Sequence, residues 1–327
     1  MRIFLTGATG FIGRHVLAAL GTEHEIVALT THAYALSPFP HVSFAQGNLL
    51  RGGEAERLFE RFPADTLLHL AWHVPPGAFW DSPSNMNWLA ASLSLARAFV
   101  EQGGTRMVFA GSGAEYDWNS PMPLKEGLSP LKPRFFYGVC KNSLRQVVEA
   151  YAASAGVSCL WCRIFWPYGP GEAPEKFLSS IMGALSRGEY AVCRGANLKR
   201  DYIYVEDVAH ALAMATTSPL NGVLNIGRGK AVSLGQIARL AAAAMGRPEL
   251  LKLESAEISE AVPEIIMASA ERLSRELGWR PRYSLVEGIS AMAEAARVAG
   301  EGREDEKIFG RGILEGQKGF SDRSYRI

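Results

Sequence analysis

Two side chains one helical turn apart carry the first chemical hint. Tyr137-Gly-Val-Cys-Lys141 stands at the start of a stretch with helical apolar spacing, Tyr137–Ala155. A separation of four residues puts both side chains on one helix face. A free tyrosine has a pKa of about 10 and exchanges its proton poorly at neutral pH. A lysine ammonium beside it favours the phenolate and lowers that value, which would let the pair move a proton. Tyr and Lys at this spacing also occur by chance in many helices, so the pair needs a context. A second candidate is Thr6-Gly7-Ala8-Thr9-Gly10-Phe11-Ile12-Gly13, which follows an apolar strand directly and opens a helix. Gly7 permits a tight turn, Gly10 lets the backbone approach a pyrophosphate, and Gly13 allows close helix–strand packing. The helix start then offers N–H groups and a positive dipole end to phosphates. Cys159 and Cys162 have C-x-x-C spacing, which reads as a redox pair or half a zinc site. No second Cys/His pair at ligand spacing accompanies them, and they lie in the apolar run Val157–Phe165. A buried strand with reduced thiols acting as small hydrophobes is the expectation, and no metal site.

Positioning these residues takes an alternation of strands and helices. Short apolar runs at Arg2–Thr6, Glu25–Leu29, Val42–Ala45, Thr66–Leu70, Arg106–Ala110 and Ser158–Phe165 read as strands. Between them Ile12–Leu20, Glu54–Phe62, Asn85–Gln102 and Tyr137–Ala155 have helical spacing. Near-continuous apolar strands such as Thr66-Leu-Leu-His-Leu suit a sheet covered on both faces. Beyond Trp166 a Pro/Gly-rich loop precedes a helix over Lys176–Arg187, a strand over Val223–Ile226 and helices over Leu234–Met245, Ala268–Leu277 and Leu285–Ala299. The pattern predicts an α/β chain: a Rossmann doubly wound parallel sheet with a smaller interleaved C-terminal substrate lobe. Residues 1–166 and 204–228 make the dinucleotide-binding domain in this reading, and 167–203 and 229–300 the lobe. Residues 301–327 are charged and glycine-bearing without periodicity, and are expected to form a mobile tail.

Composition narrows the class. The 327 residues are 48% hydrophobic and 20% charged, which suits a soluble globular chain with a large core. A formal net charge of +1 gives no global attraction to nucleic acid or membrane. No apolar run reaches the roughly 20 residues of a membrane-spanning helix. The glycine phrase begins at residue 7, so a cleavable leader would remove it, and a cytoplasmic location is expected.

The wording T-G-x-x-G-F-I-G resembles the extended short-chain dehydrogenase/reductase family, in its NAD-dependent epimerase/dehydratase branch of nucleotide-sugar-modifying enzymes. Phe109-Ala-Gly-Ser112-Gly-Ala-Glu-Tyr116 is similar to that family's S-S-x-x-V-Y-G segment, and the resemblance makes Ser112 the catalytic hydroxyl. Tyr137 and Lys141 then become the catalytic pair. Ser112 would hydrogen-bond the substrate oxygen while Tyr137 transfers the proton and the nicotinamide the hydride. Arg163-Ile-Phe-Trp166-Pro-Tyr168-Gly169-Pro170 resembles R-x-x-N-x-Y-G-P, and Arg200-Asp201-Tyr-Ile-Tyr204-Val-Glu-Asp207-Val208 resembles R-D-F-I-H-V-D-D-V. The likeness extends to about residue 298, through Leu224-Asn225-Ile226-Gly227 and Leu277-Gly278-Trp279. It implies cofactor contacts from Gly7, Thr9, Gly10, Phe11, Ile12 and Gly13, from Asn48 and Leu49 at the adenine, and from Leu70, Ala71, Tyr137 and Lys141. For the nucleotide-sugar it implies Ser112, Trp166 and Arg200, whose guanidinium fork suits a diphosphate, and Trp72 of the aromatic stretch His69–Pro83 is a further candidate contact. It also implies a homodimer, through the helices over Asn85–Gln102 and Tyr137–Ala155.

Departures from the family wording narrow the reaction. NAD enzymes usually place Asp or Glu about 20 residues after the first glycine, to bind the adenosine ribose. Here the segment is Ala28-Leu29-Thr30-Thr31-His32. Without an acid to repel a 2′-phosphate, and with Thr30, Thr31, His32 and Arg14 as donors, NADP is expected, NAD being possible. Sugar 4,6-dehydratases carry Asp and Glu directly after the catalytic hydroxyl, whereas Gly113 and Ala114 cannot move a proton. Epimerase-reductases of the GDP-fucose synthase kind need Cys at the second of those positions and His after Y-G-P, where Gly171 stands. Two reactions remain, 4-epimerisation with retained NAD and reduction of a 4-keto sugar by NADPH. The missing acid and Trp166 in place of the family's Asn favour reduction. The usual later arginine of the diphosphate clamp is missing from Ala261–Ala268. The aromatic stretch His69–Pro83, with Trp72, Phe79 and Trp80, reads either as substrate wall or as plain packing, and His73 is a further acid–base candidate. A non-enzymatic NADP sensor or scaffold is the third reading. Against it, Ser112, Tyr137 and Lys141 are all present.

Overall fold

Alternating apolar residues decide how the first half of the chain layers. The computed structural model describes residues 1–31 and 41–306, with side chains to residue 298. Strands β1 (Arg2–Thr6), β2 (Glu25–Thr30), β3 (Val42–Gln46), β4 (Thr66–His69), β5 (Arg106–Ser112) and β6 (Ser158–Ile164) alternate with helices α1 (Phe11–Leu20), α2 (Glu54–Arg61), α3 (Ser84–Glu101) and α4 (Phe136–Ala155). Then follow β7 (Pro167–Tyr168), α5 (Phe177–Ser186), β8 (Ala191–Arg194), β9 (Lys199–Arg200), β10 (Ile203–Tyr204), α6 (Val205–Thr217) and β11 (Gly222–Ile226). The remaining elements are β12 (Val232–Ser233), α7 (Leu234–Ala244), β13 (Leu251–Glu254), β14 (Ile265–Ile266), α8 (Glu271–Arg275) and α9 (Leu285–Glu306).

Seven strands form one parallel sheet in the order β11-β6-β5-β4-β1-β2-β3. This is the doubly wound Rossmann sheet. Its order reverses between β1 and β4, where Thr6 lies opposite His69, and the crevice at such a switch point is where these sheets bind ligands. Successive side chains of a strand face opposite ways. Ile3 and Leu5 accordingly pack with Val16 and Leu17 of α1 and Val208 and Leu212 of α6. Phe4 packs on the other face with Phe59, Phe99, Leu144 and Val148 of α2, α3 and α4. Each such fully buried side chain contributes about 2 kcal/mol.

Helix α6 is absent from the sequence reading, which treats its start only as a motif. Two of its C-terminal carbonyls are collected by Arg106 of β5, which donates to Thr216 O (3.1 Å) and Ala215 O (2.7 Å) and also to Leu220 O (3.0 Å) in the segment that follows. A cation at a helix C-terminus answers both the orphaned carbonyls and the dipole. Helix α9 runs to Glu306, past the boundary expected at residue 300, and the remainder of the 301–327 segment lies outside the described residues. Among the described residues no helix is long and apolar enough to cross a membrane.

The chain divides into two compact units. The first comprises Met1–Tyr168, Lys199–Val232 and Ile265–Leu285; the second comprises Gly169–Leu198, Ser233–Glu264 and the chain from Val286. Residues 265–285, grouped with the lobe in the sequence reading, join the first unit because β14 pairs with β9 and Asp201 takes the Ala268 N–H (3.1 Å). Within the second unit α5 packs on α7, and β8 pairs in parallel with β13.

Candidate active site

The glycine phrase makes its turn at Gly7, whose φ of +74° is a left-handed conformation that a side chain resists. A Cβ there would also lie 2.7 Å from Ala71 N and 2.9 Å from Leu70 C. Thr6 ties the same segment down, accepting the Ala71 N–H through its hydroxyl (3.2 Å) and the Leu70 N–H through its carbonyl (3.2 Å). Leu70 and Ala71 therefore sit against the turn. Gly13 keeps its space for the turn as well, since a Cβ would meet Gly7 O at 2.0 Å, rather than for packing on the strand. Helix α1 begins at Gly10 with no side-chain cap. Its first N–H groups have no partner within the helix and suit a phosphate. That uncapped start beside the switch-point crevice is the observation that fits a dinucleotide, with Gly7, Thr9, Gly10, Phe11, Ile12 and Gly13 along it. At the end of β2, Thr30 is buried and Thr31 exposed, while His32 lies outside the described residues. Asn48 and Leu49 follow β3, with the Asn48 N–H held by Glu54 Oε1 (2.9 Å).

Ser112 closes β5 and Tyr137 opens α4. The Ser112 hydroxyl is close enough to the Tyr137 phenol to act on its proton, and Ser112 Oγ accepts the Ala114 N–H (3.2 Å). The approach depends on Gly138, where a Cβ would stand 2.3 Å from Ala114 O. Lys141 follows one turn later, donates to Ala110 O (2.9 Å) and lies with Nζ 3.9 Å from the Trp72 ring centroid and 5.9 Å from that of Tyr137. Burial dominates the electrostatics. It raises the Tyr137 phenol pKa, which the neighbouring Ser112 hydroxyl opposes. It pushes Lys141 down to about 7, opposed by the Glu115 charge. The expectation that the lysine lowers the tyrosine does not hold here, because both groups lose their water together.

Aromatic rings wall the trio. Phe79, Trp80 and Trp72 surround Tyr137 at centroid distances of 5.0, 6.0 and 6.3 Å. Trp118 continues the wall 6.1 Å from Trp80 and 5.8 Å from Trp166. Arg200, buried and pushed down to about 10 by that burial, holds its guanidinium carbon 5.8 Å from the Trp166 ring centroid. Thus Trp72, Ser112, Trp166 and Arg200 all border one region of the first unit. His73 is exposed on the loop. The acids of the Arg200 motif serve the backbone: Asp201 accepts N–H groups of Arg228, Gly229 and Ala268, and Asp207 those of Arg282 and Tyr283. Cys159 and Cys162 are buried free thiols, pushed up to about 12 by burial, as small core residues would be.

Sequence reasoning passed over Glu115, Asn85, Trp118 and Phe135. Glu115 is fully buried between Ser112 and Tyr116 and pairs with Arg163 (2.7 Å). A carboxylate in the turn directly after apolar β5 and an arginine inside apolar β6 were the signal for it. Asn85 is fully buried, accepts the Trp72 indole N–H (2.8 Å) and donates to Phe79 O (2.8 Å) and Ser82 O (3.0 Å).

A family model described as the NAD dependent epimerase/dehydratase family matches residues 3–227. The chain is 26% identical over 315 residues to a UDP-glucose 4-epimerase of Halalkalibacterium halodurans, covering 88% of this chain and 92% of that protein. It is 26% identical over 305 residues to a GDP-6-deoxy-D-mannose reductase of Pseudomonas aeruginosa, covering 89% and 95%. In structure it is similar to the UDP-glucose 4-epimerase of Thermus thermophilus in complex with NAD, with a TM-score of 0.79, 25% identity, and coverage of 91% of this chain and 100% of that one.

Proposed function

Because the chain belongs to the NAD dependent epimerase/dehydratase family, we propose that it reduces a 4-keto deoxysugar carried on a nucleotide, with NADPH as its partner. The turn Gly7–Gly13 would hold the phosphates of the dinucleotide, which when bound would supply the hydride. Ser112 donates a hydrogen bond to the sugar carbonyl oxygen, and Tyr137 delivers the proton that turns it into a hydroxyl. Lys141 in its ammonium form, one helical turn after Tyr137, steadies the negative charge that develops. Arg200 holds the diphosphate side of the substrate, with Trp166 against it.

The observation that carries reduction is the ring wall of Trp72, Phe79, Trp80, Trp118 and Trp166. A 4-epimerase must let the keto sugar present its other face to the same hydride, which needs room beside the tyrosine. The absence of an acid after β2, with Thr30 and Thr31 in its place, supports NADPH. Epimerisation is the second reading, favoured by the epimerase named among both the curated relatives and the solved structures. Purified protein is expected to lack stoichiometric NAD, to bind NADPH more tightly than NADH, and to oxidise NADPH with 4-keto-6-deoxy nucleotide sugars. Retained, non-dialysable NAD would transfer the assignment to epimerisation. Cofactor binding without turnover of any such sugar would favour the sensor reading. We also propose a homodimer through α3 and α4, which expose Met86, Val139 and Val147; a monomeric mass in light scattering would refute it.

A further inference from the structure

One buried carboxylate beside the trio has no part in the proposed reaction. Glu115 Oε1 accepts the backbone N–H of Ser112 (2.8 Å), Trp161 Nε1 donates to both carboxylate oxygens (2.9 and 3.1 Å), and Arg163 Nε donates to Oε2 (2.7 Å). Glu115 is 0% exposed and Arg163 2%. Arg163 in turn lies with Cζ 4.5 Å from the Tyr116 ring centroid, and Tyr116 donates to Asn225 Oδ1 (2.9 Å). Packing around the carboxylate is tight, for a Cβ on Gly111 would stand 2.1 Å from Trp161 Nε1 and 2.7 Å from Glu115 Oε1.

A buried ion pair is a poor source of stability, since apolar residues of the same shape usually serve as well or better. What it supplies is a fixed geometry with every donor aimed. Here the fixed object is the turn 113–115, clamped by Glu115 to Ser112 on one side and abutted by Gly138 of α4 on the other. The Ser112 hydroxyl takes its position from that turn, accepting the Ala114 N–H (3.2 Å), and α4 approaches the turn closely at Gly138.

We propose that Glu115 is a positioning residue: its carboxylate, held by Arg163 and Trp161, fixes the Ser112 backbone so that the Ser112 hydroxyl meets Tyr137. The proposal rests on the reading of Ser112 and Tyr137 as the reacting pair. The charge has a second consequence, because it favours the protonated forms of both Tyr137 and Lys141. The other ionisable groups in this surrounding are Arg163, Glu149 and Tyr116 on the Glu115 side and His69 on the Lys141 side.

The test replaces the charge and keeps the shape. In full-length Glu115→Gln, kcat for the keto sugar is expected to fall on the order of a hundredfold with KM and NADPH affinity nearly unchanged. Its kcat profile should move to lower pH. Adding Glu115→Gln to Ser112→Ala should cost nothing further, since a residue acting through Ser112 has no effect once that hydroxyl is gone. Wild-type kcat in Glu115→Gln, or losses that multiply in the double variant, would overturn the proposal. Should Glu115→Gln fail to fold, Trp161→Phe removes one donor and is judged by the same outcomes. Amide exchange across residues 110–116 needs no substrate and separates this proposal from the functional one. It should quicken in Glu115→Gln (or Trp161→Phe) while α4 keeps its protection, and unchanged exchange would overturn the positioning role even if no keto sugar is turned over.

Discussion

Lys141 is 3% exposed and meets a single carbonyl, Ala110 O, and the face of Trp72. Its pKa of about 7 in the folded chain lies below the value of about 10.4 for free lysine. Between those values the unfolded chain binds more protons, so this group makes stability rise as pH is raised from 7 toward 10. Lys141→Met is therefore expected to raise the melting temperature by about 3 °C at pH 7 and to lose that advantage near pH 10. The same titration sets activity. With the ammonium needed for reduction, kcat should decline as pH rises through about 7; a rate that stays level from pH 6 to 9 would assign that role elsewhere. Tyr137→Phe should reduce kcat by at least about a thousandfold and leave NADPH binding intact, as measured by nucleotide fluorescence.

The loop between β4 and α3 shows how elements hold one another. Asn85 in the first turn of α3 grips Trp72, Phe79 and Ser82. The loop then caps α4, with Trp80 O accepting the Tyr137 N–H (2.8 Å) and Asp81 Oδ1 that of Phe136 (3.2 Å). Asn85→Ala should release the loop, seen as faster proteolysis within residues 72–83 and a KM for the sugar raised more than that for NADPH. Between α6 and β5 the analogous device is Arg106. Arg106→Met leaves buried carbonyls without a donor and is expected to cost about 2–3 kcal/mol in chemical denaturation, with kcat unchanged in the folded fraction. Strands with near-continuous apolar character, β1, β4 and β6, were legible within a residue or so of their ends. Helix α6 was not, because its buried face carries alanines and its start is covered by a motif with another apparent purpose. The short strands β7, β9, β10 and β14 were also illegible, being two residues long and defined by distant partners.

At the scale of the molecule, all four thiols lie inside, Cys140, Cys159, Cys162 and Cys193. They should resist a thiol reagent in the native protein and react together on unfolding; rapid native labelling of Cys159 or Cys162 would contradict a structural role. The parallel sheet, the glycine turn and the Tyr137–Lys141 spacing follow from the sequence alone, because each is written in neighbouring residues whose periodicity or bulk leaves one arrangement. The missing acid at Thr30–Thr31 and the protonless Gly113–Ala114 belong to the same class, as they concern which atoms are present. Only the tertiary structure decided that burial pushes Lys141 well below its free value, that burial raises Tyr137, that Asp201 serves the backbone, and that Glu115 stands under Ser112 with Arg163. Glu115 and Arg163 are 48 residues apart in the chain. Desolvation and long-range pairing depend on what the fold removes from water and brings together, which no local pattern of residues specifies.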